Sequence, residues 1–450
     1  GNESIVSAWD ELFKYFNEVH GNGLVGYQPG EKIAIKINLN NAWVVLGSAY
    51  LNQDNDRDAS PYVVKALLRH LVNIVGVAQE DITVFDASRA MCNWFYNRVY
   101  YKTYPNYPLV PEFPGVHFVD SQGGANGREK VVESSQKIHF ADGTGLTRIL
   151  PTCVTDAKYI INMPILKRHP ILQGVTLSGK NFFGTFVDPV VAVHPYLESS
   201  YNMGNPAPQT ELFAHEQLGG KTLLYLGDAT FATKEDHQTI AKFQMYPFNG
   251  DWTNSLFLSQ DPVAIDSVMY DFLITEGTEP CEGSQNYLHQ AAAPPSNLYD
   301  PENDGVYLSD SLGVHEHWDR DVDIFSSDRY SGPSSDGIDF VSVGAEYADS
   351  GVYITKPIEK HLYINGEQRK PFMFTMIIGG IDVEAQVNVV SGTVEKVEFY
   401  LDNDLKFTDD EAPYAWSWDE RSFSRHTLKA IAYYSSKNTA SDEIKVWKFL

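Results

Sequence analysis

Hydrophobic positions recur with two different periods along this chain, and the change of period divides it. Between residues 4 and 20, Val6, Trp9, Leu12, Phe13, Phe16 and Val19 fall at helical spacing, and Gly21 stands as a stop. In KIAIKINLN, Ile33, Ile35, Ile37 and Leu39 alternate with Lys36, Asn38 and Asn40, the pattern of a strand with one apolar face. Ser60-Pro61 has the form of a helix start with the serine as N-cap. Val63, Val64, Leu67, Leu68, Leu71 and Val75 then supply the stripe such a helix buries before Gly76. ITVFDAS reads as a second strand, and strand, helix, strand predicts a right-handed crossover within a parallel sheet. Further strands are predicted at Tyr159–Asn162, Thr222–Leu226 and Ser255–Leu258. The last runs into Asp261-Pro262, where Asp261 caps a helix carrying Val263, Ile265, Val268, Met269 and Phe272.

Residues 91–150 are rich in Tyr, Asn and Gly, with short strand candidates at Val116–Val119 and Lys137–Phe140, and are expected to form an insertion on the sheet. Residues 291–350 form an acidic, loop-rich tail. From about Pro371 the pattern is all β, alternating at Asp382–Val389, Val394–Leu401, His426–Tyr434 and Glu443–Phe449 with turns at sandwich spacing. The expected fold class is therefore α/β, a mostly parallel sheet flanked by helices in residues 1–350, plus a C-terminal all-β immunoglobulin-like sandwich in residues 371–450. The boundary is expected between Tyr347 and Pro371.

At 450 residues the chain is too long for one ordinary core, and its 43% hydrophobic content is that of a globular protein. Its 59 acids against 34 bases, a formal net charge of -25, argue against nucleic acid and against a bare anionic membrane surface. Cys92, Cys153 and Cys281, far apart, exclude a disulfide framework, a four-cysteine iron–sulfur site and a C-x-x-C pair. No apolar run of about eighteen residues exists, so no membrane span is expected. The opening GNESIVSAWD lacks a basic and apolar leader, which fits either a cytosolic chain or one whose signal has been removed.

In so acidic a chain, LQGVTLSGKNFFG (Leu172 to Gly184), with Lys167, Arg168 and His169 just ahead of it, concentrates cations and amides. Predicted strands also end in polar residues: Asn38 and Asn40, Asp86 and Ser88, Asn162, Asp228, Asp261. Open α/β sheets bind ligands outside such carboxyl ends. The candidate catalytic residues are Lys36, His169 and Lys180, with His194 as a second histidine. Asn38, Ser88, Lys167 and Asn181 are the substrate-binding candidates, and Asp86, Asp228 and Asp266 the metal candidates. A buried Lys36 demands an acid such as Asp86 or Asp228. Cationic and amide donors suit a carboxylate or phosphate, so the expected partner is a small anionic molecule and the candidate cofactor a divalent metal ion. In DPENDG, Asp300 and Asp304 resemble part of a calcium loop without its full spacing or distal Glu, and a solvated turn competes with that reading. His315 and His317, flanking Glu316, would share one face of a strand and could contribute to a metal site. No G-x-S-x-G elbow, H-E-x-x-H helix, Walker loop or complete dinucleotide fingerprint occurs. The oligomeric state is not legible.

IKINLN, SPYVVKALL, VFDAS, NMPILKRH, VTLSGKNFFG and SQDPVAIDS, in that order, resemble the bacterial and archaeal family named for domain of unknown function 362 (DUF362), and DPENDGVYLSDSLGVHEHWD resembles the tail of a subgroup. VEFYLDNDLKFTDDEAPYAWSWD followed by HTLKAIAYY is similar to bacterial immunoglobulin-like modules. Such modules occur mostly on exported proteins, so the resemblance implies a periplasmic or extracellular location. Some relatives carry ferredoxin-type cysteine motifs, which this chain does not. Two readings follow: an exported enzyme acting on a small anionic substrate, with or without a metal, and a non-enzymatic surface binding or assembly protein tethered by its immunoglobulin-like module.

Overall fold

A computed structural model gives the fold. It describes residues 5–39, 58–123, 127–169, 174–187, 202–235, 239–278, 282–324, 326–343, 351–388, 394–434 and 439–450. Asn40, Leu172, His194 and Cys281 lie outside the described residues.

The described residues form two compact units, one holding most of the first 318 residues and the other most of the chain from Asp339 onward. The first contains helices α1 (Ile5–Val19), α2 (Pro61–His70), α3 (Asn93–Tyr100), α4 (Thr152–Thr155), α5 (Ser178–Asn181), α6 (Pro208–Ala214), α7 (Pro262–Thr275) and α8 (Asn286–Ala292). Its strands are β1 (Ile33–Lys36), β2 (Ile82–Asp86), β3 (His117–Asp120), β4 (Arg128–Lys130), β5 (Glu133–His139), β6 (Thr147–Pro151), β7 (Tyr159–Asn162), β8 (Ile165–His169), β9 (Gly174–Thr176), β10 (Thr222–Thr233) and β11 (Ser255–Ser259).

The central sheet runs β4-β3-β2-β1-β7-β10, and every neighbouring pair along that path is parallel. β7 and β8 follow one another along one side of β10, since β11 pairs antiparallel with its other side at Tyr225 and Asp228. β9 returns antiparallel to β8. Because β1 leads to β2 on one side and is later met by β7 on the other, the sheet has its switch point between β1 and β7.

The sequence periods explain the packing. Phe13 and Phe16 of α1, Val64 and Leu68 of α2 and Phe95 of α3 share one core with Ile33, Ile35, Ile82, Val84, Tyr159 and Ile161. Truncating a fully buried phenylalanine such as Phe13 costs about 3–5 kcal/mol. α7 packs against β8, β10 and β11 and is buried on nearly all sides, so it lacks the one-sided stripe of α1. Asp261 caps it, Oδ1 accepting from Val263 N and Ala264 N at 2.8 Å each. Ser60 makes no side-chain cap, and its backbone N–H instead donates to Asp228 Oδ2 at 2.7 Å.

Two expectations change here. The stretch 91–150 is not an appendage throughout: β3 and β4 belong to the parallel sheet, and only β5 and β6 pair apart from it. Strands of four and three residues are too short for their alternation to declare a partner. His315 and His317 lie in irregular backbone rather than on a strand.

From Gly351 the second unit is all β, with a three-stranded and a seven-stranded sheet around one core, as in an immunoglobulin-like sandwich. Its strands are β12 (Gly351–Lys356), β13 (His361–Ile364), β14 (Glu367–Pro371), β15 (Thr375–Ile378), β16 (Ile381–Asn388), β17 (Val394–Leu401), β18 (Asp404–Asp409), β19 (Tyr414–Trp418), β20 (Phe423–Tyr434) and β21 (Thr439–Phe449). β12 pairs with β16 and buries Val352, so strands begin about twenty residues ahead of Pro371. Among the described residues no helix is long and apolar enough to cross a membrane.

Candidate functional site

Polar groups gather at the carboxyl ends of β1, β2 and β7, and the segment Ser178–Gly184 lies across them. Lys36, fully buried at the end of β1, places Nζ 3.0 Å from Asp86 Oδ2 and 2.5 Å from the Ile37 carbonyl. Burial pulls the Lys36 ammonium below its ordinary range against the opposing attraction of Asp86. Asp86 also accepts from Leu39 N, Ser88 N and Ser88 Oγ, at 3.3, 2.9 and 2.7 Å. Gly184 covers this ion pair: a Cβ there would stand 2.6 Å from Lys36 Nζ and 2.8 Å from Asp86 Oδ2. Its carbonyl accepts from Ala87 N at 2.8 Å.

Asn181 is the fastener. Its Nδ2 donates to Asn162 Oδ1 at 2.6 Å and to the Lys36 carbonyl at 3.3 Å, while its Oδ1 accepts from Asn38 Nδ2 at 3.1 Å. Asn162 Nδ2 in turn reaches the Ser178 carbonyl at 3.1 Å. Asp266, from α7, holds the other end of the turn: it accepts from Ser178 N, Gly179 N and Tyr287 Oη at 2.8, 3.2 and 2.8 Å. Burial raises its carboxyl to about 6, although all three donors favour the charged form.

Lys36, Asn38, Asp86, Ser88 and Asn181 are thus brought into one bonded network. Lys180 adjoins it on α5 and is 8% exposed. Lys167 is buried on β8 opposite Thr176, and half-buried His169 ends the same strand opposite Gly174. Arg168 is spent on the carbonyls of Lys234 and Glu235. Of the metal candidates, Asp86 and Asp266 are bonded as above, while Asp228 accepts from Ser60 N, Thr230 N and Thr230 Oγ1, and burial raises its carboxyl. Asp86, Asp228 and Asp266 are each turned to protein donors, a poor fit to a shared ion. No three His, Cys, Asp or Glu side chains among the described residues surround a common point as they stand. In DPENDG, Asp300 accepts from Asp304 N and Gly305 N, and Asp304 from Val306 N, the bonding of a self-contained turn. Sequence reasoning missed Tyr287, which sits in an ordinary helical pattern, and missed that Asp266 grips the Ser178 turn. Asn162 carried a signal, as a polar residue closing an apolar strand.

No curated protein matches the chain. The solved structures that match it do so with low TM-scores. The fibronectin(III)-like modules of Clostridium thermocellum CbhA show 21% identity over 24% of this chain and 49% of that chain, with a TM-score of 0.18. An endo-beta-1,4-mannanase from Thermotoga petrophila shows 15% identity over 24% and 21%, TM-score 0.18. A lytic polysaccharide monooxygenase from Jonesia denitrificans shows 19% over 18% and 60%, TM-score 0.15. Likenesses this slight carry no argument about function. Family models speak more directly. Residues 375–430 match a bacterial Ig domain. Residues 33–271, just over half of the chain and the whole of the network above, match the domain of unknown function DUF362, and the chain belongs to that family.

Proposed function

We propose that this chain is an enzyme acting on a small anionic molecule at the carboxyl end of the parallel sheet. Lys180 and Lys167 supply the charge, and His169 supplies an imidazole, the side chain whose ordinary titration lies nearest neutral pH. Lys36, Asn38, Asp86, Ser88 and Asn181 act as the framework that holds the Ser178–Asn181 turn. One observation supports the reading: Asn181, next to Lys180, fastens that turn across the ends of β7 and β1, where the sheet has its switch point. The engagement of Asp86, Asp228 and Asp266 by protein donors leaves the reading without a role for a metal at those three carboxylates. The match to a bacterial Ig domain supports a location outside the cytoplasm.

The test is Lys180→Ala. The wild-type chain should gain thermal stability from at least one small carboxylate or phosphate, and the variant should melt near the wild type but lose that gain. Loss of a charge-assisted hydrogen bond weakens binding by about 1.5–3 kcal/mol. A wild type indifferent to every anion, or a variant that responds equally, overturns the reading. A large fall in melting temperature without ligand makes Lys180 part of the scaffold.

A second reading, a surface-binding protein, draws on the outer face of the seven-stranded sheet. Leu362, Met376 and Trp447 stand in register across β13, β15 and β21, and Ile364, Ile378, Phe449 and Phe423 form the next row. Trp447 is 37% and Phe423 69% exposed. A glycan and peptide array probed with the intact chain and with Trp447→Ala tests this reading. Silence on every spot removes it.

A further inference from the structure

Beside α7, His315 lies against two other histidines. The ring centroids of His289, on α8, and His315 lie 4.5 Å apart, and those of His315 and His317 lie 5.0 Å apart. Two of the rings are anchored through the same atom: His315 Nδ1 to Ser267 Oγ at 2.8 Å, and His317 Nδ1 to Asp271 Oδ1 at 2.6 Å. Both therefore present Nε2. That of His317 meets Gln285 Oε1 at 3.1 Å, while that of His315 is buried with no hydrogen-bond partner among the described residues.

We propose that His289, His315 and His317 are the protein ligands of a divalent transition-metal site of the zinc class. Nε2 of His315 and of His317 and one ring nitrogen of His289 would bind the ion, leaving a fourth position to water or an outside ligand. The spacing agrees for the two pairs that His315 makes: with metal–nitrogen bonds of about 2 Å, ring centroids lie about 3 Å from the ion, so a tetrahedral pair stands about 5 Å apart. The supporting shell agrees as well. Metal-binding histidines donate their other ring N–H to a carboxylate, carbonyl or similar acceptor, which fixes the ring and its tautomer. Asp271 and Ser267 already hold His317 and His315 in that manner.

A solvated cluster of surface histidines leaves the His315 nitrogen unexplained, since an unsatisfied buried polar atom costs about 1–3 kcal/mol. Nitrogen-only ligands select zinc, copper, cobalt or nickel over calcium or magnesium. Glu316 takes no part, because its Oε2 accepts from Ile338 N at 3.0 Å. Closing the site requires His317 to release Gln285 and the exposed His289 ring to swing inward, both of them side-chain rotations. The proposal shares no ligand with the anion reading and stands or falls separately.

The experiment uses the intact chain without a polyhistidine tag, stripped by chelator and titrated with Co²⁺ and then Zn²⁺ by calorimetry and visible absorption. About one equivalent should bind per chain, Co²⁺ with the intense visible bands of a four- or five-coordinate ion, and Zn²⁺ should displace it. His289→Ala, an exposed change that leaves the fold alone, should weaken binding at least tenfold, and His315→Asn should abolish it. Asp271→Asn should lower affinity 10- to 100-fold, the usual effect of removing a supporting carboxylate. Because Asp271 Oδ2 also accepts from Trp318 N, the melt of that variant is recorded alongside. A folded wild type that binds neither metal, or His289→Ala and His315→Asn chains that bind like the wild type, overturns the proposal.

Discussion

Asn181 Nδ2 lies 2.6 Å from Asn162 Oδ1, so one amide ties the turn after β9 to the end of β7. The same amide group also serves the Lys36 carbonyl and Asn38 Nδ2, all of them buried. Asn181→Ala takes this partner from Asn162 Oδ1 and Asn38 Nδ2, while the Lys36 carbonyl keeps Met163 N, and should destabilise the unit by roughly 2–4 kcal/mol, read from a denaturant or thermal melt. A change below about 1 kcal/mol would mean that water replaces the amide and that the turn is less firmly held than its bonds imply.

Lys36 and Asp86 make a second prediction. Removing one member of a buried pair is costly, and Lys36→Met should lose about 3–5 kcal/mol. Gly184→Ala drives a methyl group toward Lys36 Nζ and should cost about 1–3 kcal/mol by overpacking. In a Lys36→Ala background that penalty should shrink, because the ammonium it strikes is gone. A double-mutant cycle measures the coupling, and strict additivity would show that Gly184 does not press on the pair.

Asp266 predicts a pH dependence. Its folded value, about 6, is raised above the ordinary 3.8 by burial, so the native state holds the proton more tightly than the unfolded chain. Stability from this group is therefore present below about pH 4 and is lost as pH rises to about 6, by up to about 3 kcal/mol. Asp266→Asn cannot ionise, so its stability relative to wild type should improve across that window. Parallel melts at pH 4 and pH 7 check this. A constant difference would place the Asp266 carboxyl near its ordinary range.

The C-terminal strands make a fourth. Val352 of β12 packs in a core with Tyr363, Val383, Phe399 and Trp418. A fragment beginning at Asp339 should melt cooperatively on its own, whereas one beginning at Thr355 cuts through β12 and should melt earlier or aggregate. Equal melts would make β12 dispensable.

Strong periodicity made α1, β1, β2 and β7 legible, because each has one apolar face that must be buried. β3 was legible as the strand at Val116–Val119 but not as a member of the sheet, and β4 was not legible, since its three residues hold too little alternation. β12 to β14 were hidden by the lysines, glutamates and turn residues of ITKPIEKHLYINGEQRKP, which read as a linker but pair into the sheets. At the site, the demand that a buried Lys36 find an acid offered Asp86 or Asp228, and the lysine pairs with Asp86. No local signal could bring His289 to His315, because that meeting depends on how α8 packs.

The grip of Asp266 on Ser178 N and Gly179 N has one more consequence. Paired backbone amides at the start of a helical turn form a cradle shaped for oxyanions, and here the chain fills it with its own carboxylate. On the reading proposed above, an anion arriving at Lys180 would meet ammonium groups rather than an amide socket. Discrimination among ligands would then rest on charge and size, and planar carboxylates should compete with tetrahedral phosphates on nearly equal terms.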